Sequence, residues 1–409
     1  MTPQPTFSEA LKFWAKLGFI SFGGPAGQIA TMQHELVDER RWIGQDAFLQ
    51  ALNFCMLLPG PEAQQLATYV GWKLHGLKGA LAAGILFVLP GALLLYALSW
   101  MSAAHGDTSV VQAVFAGLKP VVVAVVLHAT WKVGRRVLKT PAAVALAVAA
   151  FLAMEFGHIP FPFIIILVGA IGWVAAKPAE AHTGQVFPPG TGLRLLRLLG
   201  LYLVLLLVPL GTLIMLAGAK PFADIGRFFT QTALVTFGGA YAILPYVADA
   251  AVNQFHWLDS SQMINGLALA ETTPGPLILV LQFVGFFAGW NADNGLTPMV
   301  SATLAAGLTT YVTFLPSIML IVAGAPYIED IARVKRAAGA LTFVTAAVVG
   351  VIATLATLLG RQVIFTGDGD LDSIAIAIIA VAFVVLWRVK NSLHWVILGG
   401  VVFGLVRLI

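Results

Sequence analysis

Long apolar stretches recur along this chain at intervals that suit a bilayer crossing of about 20 residues. The pattern predicts six spans in the first half: Leu11–Met32, Ala47–Leu74 (broken at Pro59), Gly79–Trp100, Val110–His128, Ala142–Phe156 and Pro160–Ala176. A polar, Pro/Gly-rich stretch from Lys177 to Gly192 follows, then a lone span at Leu195–Ala217. The second half repeats the sixfold pattern with Phe228–Val247, Met263–Gly289, Met299–Val322, Ala337–Leu359, Ile374–Leu386 and Leu393–Val406. About thirteen hydrophobic segments therefore define an all-α polytopic membrane protein. Three units are expected, residues 1–176, a linker with a central span over 177–218, and residues 219–409.

Within that pattern, residues 13–61 and 228–276 align without a gap at an offset of 215. Ten of those 49 positions are identical, and the identity falls on helix breakers. Phe22-Gly23-Gly24 meets Phe237-Gly238-Gly239, Trp42 meets Trp257, and Pro59-Gly60-Pro61 meets Pro274-Gly275-Pro276. Breakers inside apolar segments are costly, and paired broken segments in two halves point to a transporter's binding site. Six spans return the chain to its starting side and the seventh carries it across. The halves are thus expected to be inverted-topology repeats with broken or re-entrant helices.

Composition sharpens the class. Apolar residues make up 59% of the 409 positions and charged ones only 10%, well below the quarter usual in soluble domains. The single cysteine, Cys55, excludes an intramolecular disulfide and any multi-cysteine metal site. With the N-terminus in the cytoplasm, sixteen Lys and Arg fall inside and six outside, Arg40 and Arg41 among the six. That bias fits the positive-inside rule and places the C-terminus outside a bacterial-type inner membrane.

The candidate chemistry sits at the breaks. Ser21-Phe22-Gly23-Gly24 and Thr236-Phe237-Gly238-Gly239 interrupt spans, and the helix N-termini that start there suit an oxyanion. Close helix packing is the plainer use of such glycines. Pro59, Gly60, Pro61 and Gln64, with Thr272, Thr273, Pro274, Gly275 and Pro276, form the second pair of breaks, where a kink is the structural alternative. Glu62 and Glu271 flank these breaks as coupling or gating groups, unless either lies at the water interface, where a carboxylate costs little. Lys119, the one basic residue placed inside a span, joins them, although a snorkelling lysine would look the same. The sequence has no HExxH, P-loop, Rossmann fingerprint or Cys/His cluster, so neither a metal nor a cofactor is expected.

These residues resemble the chromate ion transporter (CHR) family in its long, two-domain form. The likeness rests on Phe22-Gly23-Gly24-Pro25, Arg41-Trp42, Leu58-Pro59-Gly60-Pro61, Gln65-Leu66-Ala67, Tyr69-Val70-Gly71 and Phe87-Val88-Leu89-Pro90-Gly91. In the second half it rests on Phe237-Gly238-Gly239 and Ala270-Glu271-Thr272-Thr273-Pro274-Gly275-Pro276. The resemblance implies export of chromate, with sulfate as the related oxyanion, and the missing ATP site means that transport would be driven by membrane potential or an ion gradient. The expected partners are a small oxyanion and the lipid bilayer, with no nucleic acid, and a homo-oligomer is compatible with the sequence. A carrier or channel for another small anion is the nearest alternative. An intramembrane enzyme using the break glutamates is more distant, because no paired catalytic group accompanies them.

Overall fold

Thr6 starts the first helix through a reciprocal cap. Its hydroxyl accepts from the Glu9 N–H at 3.3 Å, and the Glu9 carboxylate accepts from the Thr6 N–H at 2.8 Å. The computed structural model describes residues 4–22, 24–176, 190–328, 335–365, 369–389 and 392–408. Gly23, most of the 177–192 linker and the start of the 1–176 unit lie outside the described residues. Helix α1 (Phe7–Ile20) is followed by α2 (Gly24–Gln33), a π-helical stretch His34–Glu39, and α3 (Gln45–Leu57). Next come α4 (Glu62–His105), α5 (Ser109–Val137), α6 (Pro141–Glu155), α7 (Phe161–Ala175) and α8 (Thr191–Ala217). The second half holds α9 (Phe222–Val235), α10 (Ala240–Asp249) with π-helical Ala250–Gln254, α11 (Ser260–Thr272) and α12 (Val280–Trp290). It ends with α13 (Pro298–Gly324), α14 (Lys335–Ile364), α15 (Ser373–Arg388) and α16 (Leu393–Val406). Among the described residues there is no strand, only an isolated bridge between Phe365 and Leu371.

The sequence repeat has a backbone counterpart. Helices α1 and α3 begin and end 215 residues before α9 and α11. Both halves place a π-helical stretch before the shared tryptophan. Arg41 and His256, 215 apart, are both left-handed at φ 54° and 52°. Ordinary side chains rarely accept that conformation, so its recurrence shows the two halves using one chain path.

The broken segments double back. Phe13 in α1 meets the Trp42 ring edge-on at 5.1 Å, and Lys16 Nζ lies 3.0 Å from Glu35 Oε1. A straight helix would separate positions 13 and 42 by about 43 Å. Phe54 likewise meets Tyr69 across the first Pro-Gly-Pro break at 6.1 Å. In the second half Phe228 meets Phe255 at 5.5 Å, and Asn291 Nδ2 donates to Trp257 O at 2.9 Å across α11 and α12. The stretches Leu11–Met32, Ala47–Leu74, Phe228–Val247 and Met263–Gly289, expected as single crossings, are thus helical hairpins. The reason is local. Glycines at positive φ turn the chain, the flanking prolines cannot continue a helix, and each arm is shorter than the roughly 30 Å hydrocarbon core.

Helix α4 also folds on itself. A straight run of its 44 residues would measure about 66 Å, twice a bilayer core. His75 (φ −139°, ψ 23°) and Gly76 (φ 60°) break it, and the arms meet so closely that a Cβ on Gly71 would overlap the Gly79 carbonyl. Among the described residues, five helical runs are long and apolar enough to cross a membrane: Glu62–His105, Ser109–Val137, Thr191–Ala217, Pro298–Tyr327 and Arg336–Ile364. Helices α6, α7, α15 and α16 are apolar but shorter.

Small residues lock the halves together. Gly350 of α14 packs on the Ala147 backbone of α6, and Gly172 of α7 packs on Gly339 of α14. Reciprocally, Gly117 of α5 packs on Gly400 of α16, and Gly404 on Ala113. Such contacts bring helix backbones close enough for dispersion to hold them where lipid offers no hydrophobic drive. Helix α8 stays outside this core with most of its apolar surface exposed, as a lipid-facing connector would.

Candidate functional site

Two backbone hydrogen bonds join the four breaks. Gly60 N–H donates to Thr236 O at 2.8 Å, and Gly275 N–H donates to Ser21 O at 2.8 Å. Donors and acceptors in the two bonds are 215 apart, so the Pro-Gly-Pro break of each half caps the α1-type helix of the other. Breaking a helix inside an apolar environment frees backbone groups that must find partners, and here each half satisfies its companion. Ser21 and Thr236 are fully buried at these crossings.

Glycine surroundings separate the two kinds of break. Gly24 (φ 66°) and Gly239 (φ 97°) occupy equivalent positions, and a Cβ on either would meet nothing within 4 Å. Open space therefore lies before both Phe-Gly-Gly turns, where α2 and α10 start. Gly239 caps α10 without any side-chain hydrogen bond, and of the first N–H groups of that helix Ala242 N–H turns back to Gly239 O at 3.2 Å. A Cβ on Gly238 (φ 76°) would lie 3.1 Å from Val348 Cγ2. Phe22 meets His394 edge-on at 5.0 Å, and Phe237 is half-buried.

The Pro-Gly-Pro breaks are packed shut instead. A Cβ on Gly60 (φ 124°) would lie 2.9 Å from Gln65 Nε2 and 3.0 Å from Ser317 Oγ. Gly275 (φ 94°) is closed in by Leu279, Gly91 and Phe87. Pro61, Pro274 and Pro276 are buried, and Pro59 is half-buried. The hydroxyls expected to face substrate here bond within their own helix. Thr272 Oγ1 donates to Leu269 O at 2.7 Å and Thr273 Oγ1 to Ala270 O at 3.0 Å. Gln64 bridges Ser317 Oγ at 2.8 Å and Thr68 Oγ1 at 3.1 Å.

The charged candidates part company. Glu271 is 8% exposed at the end of α11, and Tyr241 Oη, two residues beyond the second Phe-Gly-Gly, donates to its Oε1 at 2.5 Å. Glu62 occupies the first turn of α4, half-buried, where a carboxylate complements the helix N-terminus. Lys119 Nζ donates to Ser261 Oγ at 2.6 Å, at the opposite end of α11 from its break. That end is about 16 Å away along the helix, so the structure does not bring Lys119 to the breaks. Sequence reasoning missed Tyr241, Gln28 and Ser317. Each is a polar residue in an apolar segment whose counterpart in the other half is apolar or glycine: Ala26, Ile243 and Gly91. Among the described residues no three His, Cys, Asp or Glu side chains gather as metal ligands. A surface groove between α5, α6 and α14, lined by Val123, Ala147, Phe151 and Ala353, is mostly apolar, and the donors that also line it are engaged: Arg361 pairs with Glu155 at 2.9 Å, and the Thr130 and Thr357 hydroxyls donate to Val126 O and Ala353 O.

Comparison with known proteins bears on the same stretches. The profile of the chromate transporter family matches residues 8–173 and 223–405, leaving the central span between them. A probable chromate transport protein of Synechococcus elongatus is 28% identical over 395 residues, 96% of this chain and 92% of that protein. The chromate transport protein of Cupriavidus metallidurans is 26% identical over 415 residues, 99% of this chain and 94% of that protein. The uncharacterized transporter YwrB of Bacillus subtilis is 28% identical over 173 residues, 42% of this chain but 88% of its own length. A single half thus corresponds to nearly a whole relative. No solved structure matches the chain. Two matched regions that together carry both sets of breaks, in a helical chain built to cross a membrane, place this protein in the chromate transporter family.

Proposed function

We propose that the protein exports a small oxyanion, chromate or a relative such as sulfate, from the cytoplasm by alternating access around the paired Phe-Gly-Gly turns. One observation carries this reading: Gly24 and Gly239, equivalent in the two halves, both leave open space before a helix N-terminus. Phe22, Gly23, Gly24, Phe237, Gly238 and Gly239 line the substrate position. Ser21 and Thr236, with Pro59, Gly60, Pro61, Gln64, Thr272, Thr273, Pro274, Gly275 and Pro276, hold the crossings that aim these turns. A dianion leaving water forfeits hydration worth tens of kcal/mol, and a helix terminus contributes only about 0.3–2 kcal/mol. Direct N–H contacts and retained water therefore supply most of its stabilisation.

Glu271, held by Tyr241, is the gate nearest the second turn, since an ionised carboxylate there repels the dianion. Glu62 acts the same way at the first break. Lys119 provides positive charge toward the end of the molecule where α11 begins.

The halves are inverted repeats over 1–176 and 219–409, joined through 177–218. The family profile on both halves and the single central helix support this division. Four hairpins that double back leave nine crossings: the second arm of α4, then α5 to α8, α13 and α14 to α16. Export needs no second ion. Moving a dianion out through 100 mV releases about 4.6 kcal/mol, enough for roughly a thousand-fold gradient.

Everted inner-membrane vesicles test this reading. Chromate accumulation that follows an imposed inside-positive potential, competes with sulfate and vanishes in Gly238→Leu is the expected result. Absence of chromate flux from folded protein overturns chromate as substrate.

A further inference from the structure

Three buried glutamines use their amide nitrogens in one way. Gln28 Nε2 donates to Gly275 O at 2.5 Å, Gln65 Nε2 to Pro59 O at 2.7 Å, and Gln282 Nε2 to Ala92 O at 2.9 Å. The Gly275 and Pro59 carbonyls lie at the breaks, where a regular helical partner is missing, and Ala92 O lies on α4 two residues after Pro90. The amide orientation is fixed, because an oxygen turned toward a carbonyl would be repelled. The other end of each amide then presents an oxygen. Gln28 Oε1, Gln65 Oε1 and Gln282 Oε1 are all buried without a hydrogen-bond partner, and so is Ser21 Oγ. Gln28 and Ser21 are both fully buried and belong to one crossing, since Gln28 Nε2 also reaches Ser21 O at 3.4 Å.

An oxyanion is bound by donors, so bare amide oxygens repel it. A cation is bound by acceptors. The C-terminal end of α1, with its partial negative charge, finishes at Ser21 beside them. We propose that the crossing of Ser21 with Gly275 is a sodium-ion site, with Ser21 Oγ and Gln28 Oε1 as its side-chain ligands. The ligands are neutral hard oxygens with no carboxylate among them, which suits a monovalent alkali ion rather than calcium or magnesium. The site is single. At the equivalent crossing Ile243 replaces Gln28, and Thr236 Oγ1 donates to Thr232 O at 2.6 Å. The ion stays resident and screens the dianion at the neighbouring Phe-Gly-Gly turn. That last role rests on the proposed oxyanion site, whereas the sodium site itself does not.

The test is binding of radioactive sodium to the purified full-length chain in choline buffer, with chromate binding measured on the same sample by equilibrium dialysis. Saturable sodium binding is expected, displaced by unlabelled sodium and not by choline. Ser21→Ala removes a hydroxyl that has no partner, so its fold is secure, and Gln28→Ile installs the residue of the other half. Each variant should weaken sodium binding at least about tenfold. Folded protein that binds chromate but no sodium, or Ser21→Ala and Gln28→Ile variants with unchanged sodium affinity, overturns the site. Saturable sodium binding that weakens in these variants, without chromate binding, supports it while overturning the oxyanion reading.

Discussion

Glycine at Gly24 and glycine at Gly91 answer different physical needs, and the same substitution separates them. Gly24 is left-handed at φ 66° with open space where a Cβ would point, so Gly24→Ala meets backbone strain of about 1–2 kcal/mol and no clash. A Cβ on Gly91 would overlap the Pro274 carbonyl, a backbone atom fixed by its own break. The expected outcome is opposite readouts. Gly24→Ala yields folded protein whose chromate flux falls about tenfold, equal to about 1.4 kcal/mol of anion stabilisation. Gly91→Ala yields little protein that survives size-exclusion chromatography. Gly24→Asn distinguishes strain from occlusion. Asparagine tolerates the left-handed region, so this variant should be at least as stable as Gly24→Ala while transporting less. If Gly24→Asn transports as well as the parent, the open space before α2 is not the anion position.

At the level of elements, the two Phe-Gly-Gly hairpins share a path but not a clasp. The α1–α2 hairpin is held by charge: Glu35 pairs with Lys16 at 3.0 Å and Arg40 at 3.3 Å, and the Arg40 guanidinium lies over the Phe13 and Trp42 rings. The α9–α10 hairpin is held by aromatic stacking, with Phe255 on Trp257 at 4.3 Å and Phe228 edge-on to both. Burial pushes the Glu35 carboxyl up, but Lys16 and then Arg40 outweigh it and leave it below the usual carboxylate range. A depressed carboxyl stabilises the folded state above its unfolded value near pH 4.3, and that contribution is lost as pH falls through the folded value. The difference in melting temperature between the parent and Glu35→Gln should therefore be constant above about pH 5 and close in more acidic buffer. A gap that persists at pH 3 would assign the loss to packing. The clasp was partly legible in the sequence, since Arg40 and Arg41 stand where Phe255 and His256 stand in the second half. The doubling back was not. A Pro-Gly-Pro inside an apolar run specifies a break, but the direction after it is set by tertiary pairs such as Phe54 with Tyr69. The same limit hid Thr272 and Thr273, whose hydroxyls could face a substrate or their own helix with one sequence pattern.

For the whole molecule, doubling back changes which side the charges occupy, and this gives the topology an independent test. Both hairpins of the first half return to the side of the N-terminus, taking Arg40 and Arg41 with them. Among the described residues, Lys12, Lys16, Arg40, Arg41, Lys73, Lys78, Lys132, Arg135, Arg136, Lys139, Arg194, Arg197, Arg336 and Arg388 then share that side. The opposite side holds Lys220, Arg227, Arg361 and Arg407. On these same residues the count is twelve against six when the segments are treated as crossings, so fourteen against four is steeper and the re-entrant path fits the positive-inside rule better. The proposed inversion survives the change, because α8 still carries the chain across once between two halves of equal parity. Single cysteines in a Cys55→Ser background separate the two paths. If the first Pro-Gly-Pro segment crossed, positions 41 and 78 would lie on opposite faces. Because it doubles back, Arg41→Cys and Lys78→Cys should both react with a membrane-impermeant maleimide only from the cytoplasmic face. His256→Cys and Asn291→Cys, the corresponding pair in the second half, should both react only from outside if that half is inverted as proposed. Labelling of 41 and 78 from opposite faces would restore the crossing segments and remove the paired turns from a common depth, and with it the shared anion position.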